Sequence, residues 1–245
     1  MRNIKLLIEY EGTNYHGWQV QPNGLTIQEV IEEKIAVMTG QRVRLTASGR
    51  TDAGVHALGQ VANFQTSSQI PTEGFWRGLN SLLPPDIIIK SAAEVDPGFH
   101  AQSGVKRKTY CYWILNREPP SAIYRNYSWH LPLPLNQRAM QDAAGNLLGK
   151  KDFSSFQAAH PDTTAPVREV FKAEWSAKKP SFFCFTVEAD GFLKHMVRNL
   201  VGTLVEVGKG KISGEEFKQI IKARDRRKAG VTAPPQGLFL VGVEY

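Results

Sequence analysis

Residues 49–60, GRTDAGVHALGQ, place one carboxylate, Asp52, in a stretch punctuated by Gly49, Gly54 and Gly59. An ionised carboxylate held at a turn can take a proton or attack an electrophile, and it works best beside a cation and a proton carrier. Arg50 stands two residues before Asp52 and His56 four residues after it. Glycines permit backbone angles and close approaches that a Cβ forbids, so a bulky ligand could come near the main chain. The commoner task of an Asp in such a loop is to cap its own turn. The length of this loop, its three glycines and its flanking Arg and His argue for chemistry instead.

Two other stretches carry suitable side chains. Lys106, Arg107 and Lys108 run into Thr109, Tyr110, Cys111, Tyr112 and Trp113. On a strand Tyr110, Tyr112 and Ile114 share one face, and an aromatic beside clustered cations can stack a nucleobase, although most tyrosines are core residues. Residues 192–204, FLKHMVRNLVGTL, place His195, Arg198 and Asn199 in the first turns of a helix whose buried side is Met196, Val197, Leu200, Val201 and Leu204. An Arg in that setting commonly snorkels to water. If Arg198 instead faced a cleft, a bidentate contact could hold Asp52 and keep it ionised. Arg224, Arg226, Arg227 and Lys228 read as a solvated helix end touching phosphates nonspecifically, with Lys150, Lys151, Lys178 and Lys179 extending the same field.

Rival signatures fail. Residues 202–210, GTLVEVGKG, have the wrong glycine spacing for a phosphate loop and a Gly where it needs Ser or Thr. His16, His56, His100, His130, His160 and His195 are scattered and the two cysteines are far apart, so no metal is predicted. Neither G-x-S-x-G nor G-x-G-x-x-G occurs, which removes the usual hydrolase and dinucleotide signals.

The elements that must position these residues follow a duplicated plan. The first half predicts strand 5–10, helix 26–38, strand 43–47, strand 60–65, helix 72–83 and strand 86–94. Thr26 with Glu29 marks the start of the first helix and Gly40 its stop, while Pro84 and Pro85 end the second. The second half predicts strand 108–115, helix 137–148, strand 170–176, strand 182–189, helix 195–207, an extra helix 215–223 and strand 238–243. Each half reads βαββαβ, so the predicted class is α+β: two ferredoxin-like subdomains with antiparallel sheets and the active-site cleft between them. The duplication rests on element order, since the halves share no sequence similarity. The boundary falls within 96–104, giving domains 1–103 and 104–245, the first with the Asp loop and the second with Tyr110 and Arg198.

Composition narrows the class. A chain of 245 residues with 42% apolar and 22% charged residues can bury a sizeable core. A net charge of +7 and a pI near 9.4 favour a polyanionic partner. No run of eighteen apolar residues occurs, and the opening MRNIKLLIEY meets Glu9 too early for a signal peptide, so a cytoplasmic address is expected. Cys111 and Cys184 lie in apolar strand-like runs and are expected as buried free thiols, without a disulfide.

Four segments together, GRTDAGVHALGQVANF around Asp52, RKTYCYWI around Tyr110, FLKHMVRNLVGTL around Arg198 and the terminal GLFLVGVEY, resemble the TruA family of tRNA pseudouridine synthases, and NYHGWQVQ at 14–21 fits as well. The likeness spans nearly the whole chain. It implies isomerisation of uridine to pseudouridine in the tRNA anticodon stem-loop, at positions 38 to 40 of conventional tRNA numbering, without a cofactor. It further implies that Asp52 is the catalytic carboxylate, that Tyr110 packs on the target base, that Arg198 pairs with Asp52, that Arg50 assists extrusion of the nucleotide, and that the enzyme is a homodimer with RNA lying across both subunits. His56 joins these as a substrate-side candidate by its nearness to Asp52 in the chain.

The chemistry suits the residue types. Detaching uracil at nitrogen and reattaching it through carbon 5 requires confinement and charge control, with no net addition of water or electrons. One carboxylate can add to the ring, attack the ribose carbon or draw a proton toward a glycal-type intermediate, and sequence does not choose among these. A noncatalytic RNA-binding protein with two sheet platforms would explain the charge but leave the carboxylate idle. A metal-free nuclease or glycosidase would want a second acid or base, and only His56 is close in sequence.

Overall fold

The computed structural model describes residues 1–159 and 165–245. His160 and the side chain of Lys178 fall outside the described part. The chain is of mixed α+β type and divides into two compact units, one of residues 1–106 with 239–245 and the other of residues 107–238.

Unit 1 is built on strand β1 (Arg2–Tyr10), in which alternate residues Ile4, Leu6, Ile8 and Tyr10 are buried. That period of two aims one strand face at the core. Helices α1 (Ile27–Thr39) and α2 (Thr72–Leu82) contribute Ile27, Val30, Ile31, Ile35, Phe75 and Leu79 to the same core. Each such side chain removed from water contributes roughly 1.5–3 kcal/mol before conformational entropy is counted. Thr26 caps α1 through the Glu29 N–H, and Gly40 ends it at φ 69°, the left-handed stop expected. The helix α2 stops two residues before Pro84.

Strand β1 pairs antiparallel with β3 (His56–Thr66) on one side and β4 (Ile87–Val95) on the other. The strand expected over 43–47 shrinks to β2 (Thr46–Ala47), opposite Asn63 and Ala62 of β3. Side chains of α1 replace the missing ladder: Glu32 Oε1 accepts the Leu45 N–H at 2.8 Å, and Gln28 Nε2 donates to the Leu45 carbonyl at 3.1 Å. Conversely, β3 begins at His56, four residues before the expected start. Its early residues gain a partner in β10 (Leu238–Glu244), with Phe239 opposite His56 and Leu240 opposite Ala57 in parallel register. This last strand was expected to close the second repeat, yet it lies with unit 1. The Tyr245 hydroxyl donates to the Ala101 carbonyl at 2.8 Å. Residues 96–101 are also tied into unit 1, because Asn3 donates to the Asp96 and Phe99 carbonyls while Asn63 bridges Asn3 to the Ala101 N–H.

Unit 2 centres on β5 (Arg107–Asn116), antiparallel to β9 (Phe182–Ala189) from Lys108 to Leu115. Strand β9 pairs with β8 (Val167–Lys179), and β8 with β7 (Gly149–Asp152). A short β6 (Trp129–Leu131) runs parallel to β5. Neither β6 nor β7 was expected, because three or four residues carry too little periodicity to read. Helix α3 (Gln137–Ala144) ends earlier than expected, in a 3-10 turn over Gly145–Leu147. Helix α4 (Met196–Gly208) is buried on nearly every side, and α5 (Gly214–Ala223) opens with a capping box of Ser213 and Glu216. The loop-like 202–210 segment is therefore mostly helix.

Cys111 and Cys184 form a disulfide, which corrects the expectation of two free thiols. Register explains the meeting: Cys111 faces Thr186 and Trp113 faces Cys184 across β5 and β9, so the two cysteines are diagonal neighbours on one face, with Cα atoms 6.2 Å apart. No helix among the described residues is long and apolar enough to cross a membrane.

Candidate active site

The Asp52 turn is assembled from three directions within unit 1. The Val55 N–H donates to the Asp52 carbonyl at 3.1 Å, closing the turn. Gly54 is the only one of the three glycines in the loop with positive φ, at 77°. From β1, the Tyr10 hydroxyl shares a 2.8 Å hydrogen bond with Thr51 Oγ1. Burial pushes the Tyr10 phenol well above its ordinary range, against smaller opposing contributions from Thr51 and Gln60. It therefore stays a neutral hydroxyl. From the NYHGWQVQ segment, the Trp18 N–H donates to the Thr51 carbonyl at 3.1 Å. Gly17 has φ 85°, and a Cβ there would stand 2.6 Å from that carbonyl oxygen. The base of the loop is pinned by Gln60, whose Nε2 donates to the Gly49 carbonyl at 2.8 Å while its Oε1 accepts from Ser48.

This scaffold leaves Asp52 half-buried and Arg50 exposed. His56, expected at the substrate, is 1% exposed. Its Nδ1 accepts the Gly12 N–H at 3.0 Å, and its ring stacks on Phe239 at 4.6 Å. It thus links the first residue of β3 to the turn after β1 and to β10. Tyr10, Gly17, Trp18 and Thr51 went unrecognised as loop supports. Gly17 and Trp18 did stand in a motif quoted from the sequence, but nothing local says that this motif packs beneath a loop thirty-odd residues on.

In unit 2, Tyr110 is 8% exposed, and its ring meets Phe192 edge to face at 5.1 Å. The adjoining cations are partly engaged. Arg107 pairs with Glu188 at 2.8 Å and lies over the Phe171 ring. Burial, with the Arg168 charge adding to it, pushes the Lys108 ammonium below its usual range.

Arg198 sits half-buried in the first turn of α4. Its Nε donates to the Ala233 carbonyl at 2.8 Å, and the Ala233 N–H returns a bond to the Arg198 carbonyl at 3.1 Å. Its charge also reaches Tyr112, where burial raises the phenol strongly and Arg198 opposes that rise in part. The Tyr112 hydroxyl donates to the Pro234 carbonyl at 2.7 Å. Asn199, beside Arg198, is fully buried.

One part of the expected solvated basic cluster is different in kind. Arg226 is half-buried and donates to the Gly230 carbonyl, Asn199 Oδ1 and Thr232 Oγ1. Sequence could not distinguish it from Arg224, which pairs with Asp152, or from Arg227, which pairs with Asp225.

Comparison with known proteins gives this constellation a class. A sequence model of the tRNA pseudouridine synthase family matches residues 6–102 and 143–245. The chain therefore belongs to the tRNA pseudouridine synthase family. More particularly, it is 49% identical over 245 residues to a protein of Thermoanaerobacter sp. named tRNA pseudouridine synthase A, covering 100% of both chains. Proteins of that name from Acetivibrio thermocellus and Geotalea daltonii are 49% and 48% identical, again over 100% of both chains. Asp52 and Arg198 lie within the matched family segments, and Tyr110 lies in a stretch that these full-length relatives cover. A solved Cbf5-Nop10-Gar1 complex aligns with 82% of this chain and 54% of its own at 13% identity and a TM-score of 0.34, too slight a likeness to carry any argument.

Proposed function

We propose that this enzyme, an isomerase converting uridine to pseudouridine in tRNA, acts on the anticodon stem-loop at positions 38 to 40, with Asp52 as its catalytic carboxylate. The observation that carries the assignment is the construction of the Asp52 turn. Tyr10, Trp18 and Gln60 fix its backbone by hydrogen bonds at Thr51 and Gly49, while Asp52 itself remains half-buried between an exposed Arg50 and Ala53. A carboxylate held that firmly meets the need of covalent or proton-transfer chemistry for a fixed reacting group.

The remaining roles follow from side-chain type. Tyr110, braced edge-on by Phe192, supplies a platform for the extruded uracil. Arg198, oriented through its Nε by the Ala233 carbonyl, is the cation that pairs with the catalytic carboxylate. Exposed Arg50 assists extrusion of the nucleotide. His56 serves the substrate through the loop, tying its far end to Gly12 and Phe239. In the reaction the uracil N1 to ribose C1′ bond breaks, a C5 to C1′ bond forms, and the C5 proton leaves as N1 gains one. Atoms and electrons balance without a co-reactant.

At the level of fold, the β4, β1, β3, β2 neighbours of unit 1, all antiparallel, support reading it as a ferredoxin-like βαββαβ unit. In unit 2 the order β5, α3, β8, β9, α4 supports the same plan without its closing strand, since β10 lies with unit 1. A homodimer binding tRNA across both subunits, working in the cytoplasm, completes the proposal. Its test is Asp52→Asn, assayed with tRNA carrying tritium on uridine carbon 5. The variant is expected to bind tRNA with a Kd within about threefold of the parent and to release no tritium above background. Full release by Asp52→Asn would overturn the catalytic assignment.

A further inference from the structure

Residues 229–234, AGVTAP, are secured to the start of α4 by side chains that the chemistry above does not use. Arg226 is the hub. Its Nη1 donates to the Gly230 carbonyl at 2.9 Å and the Ala229 carbonyl at 3.3 Å. Its Nη2 donates to Asn199 Oδ1 at 3.0 Å and Thr232 Oγ1 at 3.1 Å. Thr232 in turn donates to Asn199 Oδ1 at 2.7 Å. Asn199 is itself anchored, since its Nδ2 donates to the Phe156 carbonyl at 2.7 Å. One further bond, from the Gly230 N–H to Thr203 Oγ1 at 2.9 Å, holds the segment to the next turn of the helix.

Those four Arg226 acceptors are all neutral, and among the described residues no carboxylate pairs with its guanidinium. A cation beside the first turn of a helix also opposes the helix dipole. Charge neutralisation therefore does not account for Arg226, whereas geometry does: a planar fork of donors can join three points of one loop to a helix side chain, which a lysine ammonium cannot do. The segment so held presents the Ala233 carbonyl, and that oxygen accepts the Arg198 Nε.

We propose that Arg226, with Asn199 and Thr232, is a positioning residue that sets the orientation of the Arg198 guanidinium by fixing the 229–234 segment. This rests on the reading of Arg198 as the cation of the site. Misplacing a working group by about 1 Å can cost on the order of 100-fold in rate.

The test is a mutant cycle read by single-turnover tritium release and by tRNA Kd, each variant being assayed well below its own Tm. Arg226→Lys is expected to slow release about 10- to 100-fold with Kd within about threefold. Thr232→Val, which keeps the side-chain shape and removes the bridging hydroxyl, should slow it about 3- to 10-fold. Arg198→Met combined with Arg226→Lys should be no more than about twofold slower than Arg198→Met alone, because the second change acts through the first. Losses that multiply, an unchanged rate in Thr232→Val, or an Arg226→Lys effect confined to Kd would each overturn the proposal while leaving Arg198 in place. An Arg198→Met enzyme at full rate would overturn the reading of Arg198 itself, and the positioning role with it.

Discussion

Substitution of Gly17 by alanine probes how firmly the loop scaffold controls the carboxylate. Gly17 has φ 85°, a conformation that costs a residue with a Cβ about 1–3 kcal/mol. The new methyl would also stand 2.6 Å from the Thr51 carbonyl oxygen and 3.1 Å from both the Asp52 carbonyl carbon and the Ala53 nitrogen. No side chain can swing away to relieve this, because every one of those atoms is backbone of the Asp52 turn. Relief must separate the two segments, which breaks the Trp18 N–H bond to the Thr51 carbonyl and removes about 1 kcal/mol more. The total is about 2–4 kcal/mol. For a chain of this size that corresponds to a fall in Tm of about 4–16 °C. Displacement of the turn should also lower the single-turnover rate at least about tenfold, with tRNA Kd little changed. Thermal melts and tritium release measured on the same preparation check both parts. A Tm within about 2 °C of the parent would refute the close approach as a determinant of the loop. A destabilised enzyme at full rate would refute the claim that Gly17 acts on Asp52 position.

Tyr110→Ala should lower the rate by about 5- to 150-fold, the equivalent of losing one base stack of about 1–3 kcal/mol, whereas Tyr110→Phe separates platform from hydroxyl. Phe at full rate would remove the hydroxyl from the mechanism, and Ala at full rate would remove the platform. Stability should also carry a signature of Glu206. Partial burial raises its pKa, but hydrogen bonds and charges from Lys209 and Lys211 outweigh that and hold the carboxyl below its ordinary 4.5. A depressed folded-state pKa stabilises the fold above the unfolded value and loses that contribution as pH falls through the folded one. Urea unfolding should therefore show Glu206→Gln less stable by about 1 kcal/mol at pH 6, with the gap closing as pH drops below about 4.5. A gap constant from pH 6 to pH 3 would refute the linkage.

Helix α1 was legible at both ends because its signals are local: Thr26 with the Glu29 N–H at one end, and Gly40 in the left-handed region at the other. Strand β1 was legible because its apolar period lies within one segment. The start of β3 was not, because His56 owes its strand pairing to Phe239, far along the chain, and Ala57 pairs with Leu240 as well as with Tyr10. Residues 43–47 looked like a strand by residue type, yet the side chains of Gln28 and Glu32 took the Leu45 backbone groups that a longer strand would have paired. The cysteines misled for the same reason, since only the register of β5 against β9 makes them neighbours.

Among the candidate site residues, Asp52 stood out by its glycine-rich loop with Arg50 and His56 close by, whereas Tyr110 and Arg198 drew their proposed roles from the family resemblance carried by the motifs around them. Chemistry of this kind is written in short contiguous motifs, because a loop or a helix turn must carry the group whatever lies elsewhere. What holds those groups in place was decided only in three dimensions. Tyr10, Gly17 and Trp18 lie beneath Thr51. Arg226, one cation in a run of four, bonds to Asn199 and Thr232 while its neighbours face solvent. Hydrogen-bond geometry and close approach depend on distances between segments that chain order does not encode. An arginine that touches phosphate and one that braces a loop are therefore the same letter until the fold gives them different neighbours.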